Sequence, residues 1–150
     1  MKKYKAQLID VAYGKEVTVI EPSNLYGCTL QDNVFVGPFC EIQKGVLIGK
    51  DTRIQSHSFI CELVTIGDNC FIGHGVMFIN DLFELGKPSG NSNFWKKTNI
   101  ASNVSMGSNA TILPVNICSN VVIGAGSVVV KNIVESGIYA GNPAQRLRDI

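Results

Sequence analysis

The sequence predicts an all-β fold, a parallel β-helix built from six-residue repeats. Every sixth residue from Leu30 to Phe78 is large and apolar, and a small or β-branched residue lies four positions after each of the first eight. A period of six matches neither the helical repeat of about 3.6 nor the strand repeat of 2, but it is typical of a solenoid of hexapeptides. The large series is Leu30, Val36, Ile42, Ile48, Ile54, Ile60, Ile66, Ile72 and Phe78, and the small series is Val34, Cys40, Val46, Thr52, Ser58, Val64, Cys70 and Val76.

Each hexapeptide is expected to supply one short strand and one corner, so that three of them close a triangular coil of about 18 residues. One coil cannot bury its own apolar edge, and stability requires coils stacked at the strand spacing of about 4.8 Å. Glycine follows the large residue where a corner leaves least room for a side chain or requires a positive φ, and Asp or Asn suits the same bends. These glycines are Gly37, Gly49, Gly67 and Gly73, and the Asp and Asn positions are Asp32–Asn33, Asp51 and Asp68–Asn69.

Both ends of the repeat are irregular. Lys5–Asp10 alternates and is a candidate short strand, and the repeat begins imperfectly near Val17, as terminal coils usually do. After Glu135 the pattern stops, and Asn142 followed by Pro143 predicts the N-terminus of a short C-terminal helix.

An excursion interrupts the repeat at about residues 80–98. This segment of about 18 residues contains Gly, Pro, Ser and Asn, and loops of that length are usually functional or disordered. The repeat then resumes with the large series Ile100, Met106, Ile112, Ile117, Ile123 and Val129 and the partners Val104, Ala110, Val121, Ser127 and Ile133. We therefore expect residues 1–150 to form a single domain with one extruded loop.

Composition excludes several classes of function. A net charge of +1 with 17% charged residues argues against binding to nucleic acid or to a membrane surface. The basic start is not followed by a long apolar run, so neither a secretory signal nor a membrane span is expected. The five cysteines include no CxxC pair, which predicts buried small residues in a reducing cytoplasm rather than disulfides or a zinc ribbon.

The ending VVIGAGSVVVKNI…YAGNPAQRLRDI, together with the phased repeats and the excursion, resembles the left-handed β-helix acyltransferases. The resemblance extends from about Val17 to the end of the chain. It implies a left-handed coil and a homotrimer with active sites between subunits.

Within that group, FIGHGVMFINDLF (Phe71–Phe83) resembles the nucleotide-sugar N-acetyltransferases. The resemblance implies transfer of acetyl from acetyl-CoA to the amine of a nucleotide-linked amino sugar for surface polysaccharide such as O-antigen, by direct attack on the thioester. A dTDP-3-amino-3,6-dideoxyhexose is the favoured acceptor, because no N-terminal α/β domain of the kind usual in 4-amino-sugar enzymes is seen. A UDP-linked 3-amino-glucuronic acid, another small acceptor acetylated on oxygen or nitrogen, and a non-catalytic structural subunit are the alternatives.

Two histidines are the first candidates for the site. His57 and His74 are 17 residues apart, one short of a coil, so they are expected near one edge in adjacent coils. The trimeric β-helix carbonic anhydrases, which the repeat also resembles, need three histidine ligands, so no metal is predicted.

His74 is the candidate catalytic base. An attacking amine must be unprotonated and must lose a proton, which suits a neutral imidazole near pH 7. Asp81 would orient His74 or accept the proton itself, and the departing thiolate is a third acceptor. The alternative is that His74 is a surface turn residue.

Asn80 and Asp81 are predicted with His74 at the catalytic centre, as hydrogen-bond partners of the sugar hydroxyls or the amine. The resemblance implies that the nucleotide binds toward the N-terminal coils. Asn80 and Asp81 would otherwise only begin the loop. The candidates toward the nucleotide are Glu21, Asn24 and His57, for which imperfect capping or stacking are the alternatives.

The acetyl-CoA site is expected along the edge toward the C-terminal coils. Small residues allow close approach of the cofactor to the backbone, and N–H groups there would stabilise the developing oxyanion. Basic side chains would meet the CoA phosphates, although the two arginines would otherwise lie on an exposed helix. The candidates are Gly107, Ser108, Gly124, Ala125, Lys131, Arg146 and Arg148.

Overall fold

Three parallel sheets form the three sides of a solenoid in the computed structural model, which describes residues 8–150. Successive strands from β1 to β19 join sheets 1, 2 and 3 in rotation, and β20 and the antiparallel β21 extend sheet 3. Sheet 1 contains β1 (Leu8–Ile9), β4 (Asn24–Tyr26), β7 (Glu41–Ile42), β10 (Phe59–Ile60), β13 (Met77–Phe78), β16 (Thr111–Ile112) and β19 (Val128–Val129). Sheet 2 contains β2 (Ala12–Tyr13), β5 (Thr29–Leu30), β8 (Leu47–Ile48), β11 (Val64–Ile66), β14 (Thr98–Ile100) and β17 (Asn116–Ile117). Sheet 3 contains β3 (Thr18–Val19), β6 (Phe35–Val36), β9 (Arg53–Ile54), β12 (Phe71–Ile72), β15 (Val104–Met106), β18 (Val121–Ile123), β20 (Gly137–Gly141) and β21 (Ala144–Arg148).

The core consists of the two series that the six-residue period predicts. Every large residue from Leu30 to Phe78 is at most 1% exposed, and every residue of the small series is at most 2% exposed. Hydroxyl groups in the small series are satisfied inside the core: Thr52 donates to the Gly67 carbonyl and Ser58 to the Gly73 carbonyl, each at 2.9 Å. The fold prediction is therefore confirmed at its centre.

Corner glycines are required by close packing between coils. A Cβ built on Gly49 would lie 2.4 Å from the carbonyl carbon of Gly67 in the next coil. Positive φ angles fall instead on Asn33, Asp51 and Asn69, at 60°, 58° and 53°. Of the two reasons expected for the corner glycines, lack of room is the one that applies.

Two of the three edges of the solenoid carry most of the candidate site residues. The histidine edge, where sheet 3 turns into sheet 1, carries in successive coils Glu21–Pro22, Pro38–Phe39, Ser56–His57, His74–Gly75, Ser108–Asn109 and Ala125–Gly126. The loop edge, where sheet 1 turns into sheet 2, carries Gln43–Gly45, Cys61–Leu63, the excursion, Leu113–Pro114 and Val130–Asn132.

All changes in coil length from Leu30 onward occur at the loop edge. Registered partners such as Ile48 and Ile66 are 18 residues apart, whereas Ile66 and Ile100 are 34 apart because the excursion lies between them. Coils after the excursion are shorter, with 17 residues between Ile100 and Ile117 and 16 between Ile117 and Ile133. The six-residue spacing across the histidine edge, as from Ile72 to Phe78, does not change.

The excursion is slightly shorter than the sequence predicts. Thr98 is fully buried and begins β14, so the excursion ends at Lys97. It contains one 3-10 helix, Ser92–Phe94, and an ion pair between Lys96 and Glu84 at 3.0 Å.

The predicted C-terminal helix is wrong. Residues after Glu135 form an antiparallel hairpin of β20 and β21, in which Gly141 pairs with Ala144 across a two-residue turn. The Asn142–Pro143 bond is cis, and cis proline occupies the third position of type VI turns. Asn followed by Pro suits a helix start and a turn equally, and here β20 already continues sheet 3, so the chain folds back onto that strand.

At the other end, only part of the candidate strand Lys5–Asp10 can be assessed. Leu8–Ile9 forms β1 and pairs with β4, and residues 5–7 lie outside the described residues. Within residues 8–150, no helix has the length and apolarity needed to cross a membrane.

The packing at Gly49 gives a testable prediction. We expect Gly49→Ala to lower the free energy of unfolding by about 2 kcal/mol or more, because the added Cβ would collide with the backbone at Gly67. Gly90→Ala is the matched control: no atom lies within 4 Å of its added Cβ, so a change within about 0.5 kcal/mol is expected. Urea unfolding of both variants measures this, and equal effects would contradict the packing explanation.

Candidate active site

His74 lies at the centre of the histidine edge, with a fixed backbone and an exposed side chain. Its carbonyl accepts a hydrogen bond from the N–H of Asn109 at 2.8 Å, and the preceding carbonyl, that of Gly73, accepts from Ser58 Oγ. The following N–H, that of Gly75, donates to the Ser56 carbonyl at 3.0 Å. The coils on both sides thus hold the corner, while the imidazole faces outward.

The imidazole of His74 contacts the coil before it. Its Nδ1 lies 2.9 Å from Ser56 Oγ, and the two residues are one coil apart. His57 is the next residue after Ser56, and its ring stacks against Phe39 with centroids 4.9 Å apart. Both histidines therefore lie on one edge, in adjacent coils, with His57 toward the N-terminal side.

Four of the candidate acetyl-CoA residues continue this edge beyond His74. Ser108 and Ala125 stand at the same corner position as His74 in the next two coils, and Gly107 and Gly124 precede them. At a spacing of about 4.8 Å per coil, Ala125 lies about 10 Å from His74 along the edge. The structure brings His74 and these four residues together.

Two backbone N–H groups beyond His74 on this edge are open. At the edge between sheets 2 and 3, the corner N–H of Lys50 is capped by Asp68 Oδ1 at 2.8 Å, and that of Asp68 by Ser102 Oγ at 3.1 Å. At the histidine edge the corresponding caps would come from Ala125 and Gly141, which have no side-chain acceptor. Within residues 8–150, the N–H groups of Ser108 and Ala125 accordingly have no hydrogen-bond partner.

Glycines place no side chain over either nitrogen. A Cβ on Gly73 would lie 2.8 Å from the Ser108 nitrogen, and a Cβ on Gly107 would lie 2.4 Å from the Ala125 nitrogen. The glycine column therefore leaves the strip of backbone beside His74 without covering side chains. A carbonyl oxygen of a ligand laid along this strip would meet preorganised donors.

The three basic candidates lie apart from this strip. Lys131 is exposed on the loop edge, one full side away from Ala125. Arg146 and Arg148 belong to the terminal hairpin, where Arg146 pairs with Glu135 at 3.1 Å and with Asp149. The hydrogen bond to Asp149, followed by the charge of Glu135, raises the pKa of Arg146. In a single chain, Lys131, Arg146 and Arg148 do not adjoin Gly107 or Gly124.

Asn80 and Asp81 lie at the start of the excursion, on the loop edge. Asn80 Nδ2 donates to the Glu62 carbonyl at 3.2 Å. The Asp81 carboxylate accepts the N–H groups of Phe83 at 2.9 Å and Ser89 at 2.7 Å, so both oxygens hold the loop. One side of the solenoid, six residues or at most about 20 Å of extended chain, separates Asn80 from His74. One chain does not bring them together.

The remaining substrate candidates lie in the N-terminal coils. Glu21 is exposed on the histidine edge, three coils before His74. Asn24 is half-buried in β4 on sheet 1, beside Glu41 of the next coil. Glu21 therefore shares the edge of His74 and Asn24 does not.

The sequence interpretation missed Ser56. Its signal was present, because Ser56 precedes His74 by 18 residues, one coil of this region, and that spacing places two corner residues in contact.

The buried cysteines are poor candidates for a nucleophile. Burial raises the pKa of Cys28 to about 11 and that of Cys61 to about 12. It also raises the pKa of Cys40 and Cys70. Since the thiolate is the nucleophilic form, these four thiols are structural. Within residues 8–150, no three His, Cys, Asp or Glu side chains are grouped to hold a metal ion.

Comparison with protein families accounts for the repeat. The model described as "Bacterial transferase hexapeptide (six repeats)" matches residues 27–62, and "Hexapeptide repeat of succinyl-transferase" matches residues 63–78 and 98–131. The chain belongs to the hexapeptide-repeat transferases. The gap between the matched segments coincides with the excursion. The prediction of a left-handed β-helix of hexapeptides with one extruded loop is confirmed.

Among curated relatives, this hexapeptide-repeat transferase is 30% identical over 150 residues to the bifunctional protein GlmU of Streptococcus uberis, covering 95% of this chain and 32% of that protein. The chain thus spans between a fifth and a third of the length of the GlmU proteins it matches.

Two solved structures have the same fold. A point mutant of AntD, an N-acyltransferase from Bacillus cereus in complex with dTDP and coenzyme A, superposes with a TM-score of 0.71 at 21% identity, covering 94% of this chain and 84% of that chain. The hexapeptide-repeat acetyltransferase VCA0836 from Vibrio cholerae, complexed with acetyl-CoA, has a TM-score of 0.62 at 25% identity, covering 85% and 70% of the two chains.

Proposed function

We propose that this hexapeptide-repeat transferase moves the acetyl group of acetyl-CoA to the amine of a nucleotide-linked amino sugar. The observation that carries the proposal is the shared edge of His74 and the open N–H groups of Ser108 and Ala125. These are the parts that amide formation from a thioester requires, namely a proton acceptor and donors for a developing oxyanion. The solved relatives crystallised with CoA and with dTDP support both substrates.

In the proposed reaction, the amine attacks the thioester carbonyl carbon and a tetrahedral intermediate forms. Its oxygen accepts hydrogen bonds from the uncovered backbone strip, and collapse breaks the C–S bond and releases the CoA thiolate. The proton leaves the amine for His74. The proposed attack on the thioester is direct, without an acyl-enzyme, and burial, which raises the pKa values of Cys28, Cys40, Cys61 and Cys70, makes these thiols poor nucleophiles.

The acceptor occupies the N-terminal side of His74, toward His57 and Glu21. Acetyl-CoA takes the C-terminal side, because the open N–H groups of Ser108 and Ala125 lie in that direction. The favoured acceptor is a dTDP-3-amino-3,6-dideoxyhexose used in the cytoplasm for surface polysaccharide. AntD has also been crystallised with dTDP-4-amino-4,6-dideoxyglucose, which makes 4-amino sugars the first comparison.

The complete site lies between subunits of a homotrimer of single-domain chains. His74 and the excursion are on different edges, so a site that uses both needs the loop edge of a second copy. Phe71 and Met77, three residues before and after His74, are 41% and 39% exposed and flank the histidine edge on sheets 3 and 1. Their apolar surface suits contact with another copy.

A thiol-release assay tests the proposed activity. With acetyl-CoA we expect release of CoA when a dTDP-3-amino sugar is present, and slower release with UDP-3-amino-glucuronic acid, 4-amino sugars, free glucosamine or sugar alcohols. The amide product is identified by mass spectrometry. If no acceptor gives release and calorimetry detects no CoA binding, the proposal fails and a structural role is favoured.

The role of His74 is tested separately. We expect His74→Ala to lower kcat by about 100-fold, because general-base catalysis commonly contributes a factor of that size. His57→Ala is the matched control, and it should raise KM for the nucleotide sugar with little change in kcat. A loss of kcat below about threefold in His74→Ala would assign the proton to the departing thiolate instead.

Mixing inactive subunits tests the shared site. His74→Ala and Asp81→Ala, which releases the loop from Phe83 and Ser89, should each be nearly inactive. Co-expressed in equal amounts, they should regain about a quarter of wild-type activity, because in a cyclic trimer about one site in four then pairs an intact His74 with an intact Asp81 of the neighbour. Light scattering checks the trimer. Recovery of no activity would show that one copy supplies both residues.

A further inference from the structure

We propose that Ser56 is a positioning residue that fixes the tautomer of His74, so that Nδ1 carries the hydrogen and Nε2 is free to accept a proton. The inference deepens the proposed function and rests on it. Its basis is the contact of 2.9 Å between Ser56 Oγ and His74 Nδ1.

The contact occupies one ring nitrogen and leaves the other for the substrate. A neutral imidazole has one donor and one acceptor nitrogen, and a hydrogen bond at one nitrogen determines the role of the other. If Ser56 Oγ accepts from Nδ1–H, Nε2 has a free lone pair. If Ser56 donates to Nδ1 instead, Nε2 carries the hydrogen and cannot act as a base.

Only the first arrangement keeps its hydrogen bond unchanged when Nε2 accepts the proton. As the amine attacks, its N–H bond breaks and an Nε2–H bond forms, giving an imidazolium that still donates from Nδ1 to Ser56 Oγ. The same hydrogen bond therefore holds before and after proton transfer. In the second arrangement a protonated ring would present Nδ1–H to the hydrogen of the Ser56 hydroxyl, and the hydroxyl would have to rotate.

The backbone holds Ser56 in place for this task. Its carbonyl accepts the N–H of Gly75 at 3.0 Å, and two residues later Ser58 donates from inside the core to Gly73. Ser56 Oγ makes no other hydrogen bond within the described residues. Its loss should therefore change the orientation of His74 more than the stability of the coil.

Steady-state kinetics is the first test. We expect Ser56→Ala to lower kcat about tenfold with KM for acetyl-CoA and for the nucleotide sugar changed less than twofold, and Ser56→Thr to restore kcat to within about threefold of wild type. Ser102→Ala removes a hydroxyl with a similar bond between coils, to the Asp68 N–H on another edge, and should leave kcat unchanged. A change confined to KM, or equal effects of Ser56→Ala and Ser102→Ala, would overturn the proposal.

A double-mutant cycle separates positioning from a general structural effect. If Ser56 acts only through His74, Ser56→Ala should cause no further loss in a His74→Ala background. The same tenfold loss in both backgrounds would overturn the proposal.

Nitrogen-15 NMR reads the tautomer without any turnover. The chain has only two histidines, so His57→Asn leaves a single imidazole to assign. At about pH 8.5, where an ordinary imidazole is neutral, we expect the Nδ1–H form to predominate at His74 and to decrease in Ser56→Ala. Predominance of the Nε2–H form would overturn the inference even if the enzyme is active. A lack of transferase activity would overturn the proposed function and leave this measurement intact as a test of the contact.

Discussion

Hydrogen bonds between consecutive coils hold every corner above the equivalent corner of the coil before it. At the histidine edge these bonds run from Gly73 N to Met106 O and from Gly107 N to Ile123 O, at 2.9 and 2.7 Å. A slip of one residue would turn the buried large series outward. Because packing of the core prevents this slip, residues separated by a full coil stay in contact on the surface. Core packing therefore fixes the geometry of the candidate site.

Individual corners differ chemically through a few side chains. Where Asp68 caps a corner N–H, the backbone is closed to ligands; where Ala125 replaces such a residue, the same backbone is open. The candidate binding strip therefore arises where side chains used as caps at other corners are absent. Glycine contributes in the same way, because Gly73 and Gly107 leave the nitrogen atoms of the next coil uncovered.

The sequence was sufficient for the core and for the gross path of the chain, because both depend on a periodicity that holds residue by residue. It was insufficient for the tail, since Asn142–Pro143 fits two local structures and only the neighbouring strand decides between them. It also suggested that Asp81 lies close enough to His74 to orient it. In this fold six residues are one whole side, so short separation in sequence means different edges, whereas Ser56 and His74, 18 residues apart, touch.

The restriction of length changes to the loop edge has a consequence for how such proteins diversify. A segment can be inserted, shortened or exchanged between Ile79 and Thr98 while the columns of the histidine edge keep their register. Acceptor preference and donor chemistry would then be separately heritable traits. Grafting the excursion of a relative onto this chain would transfer its acceptor preference and leave the residues for donor chemistry in place.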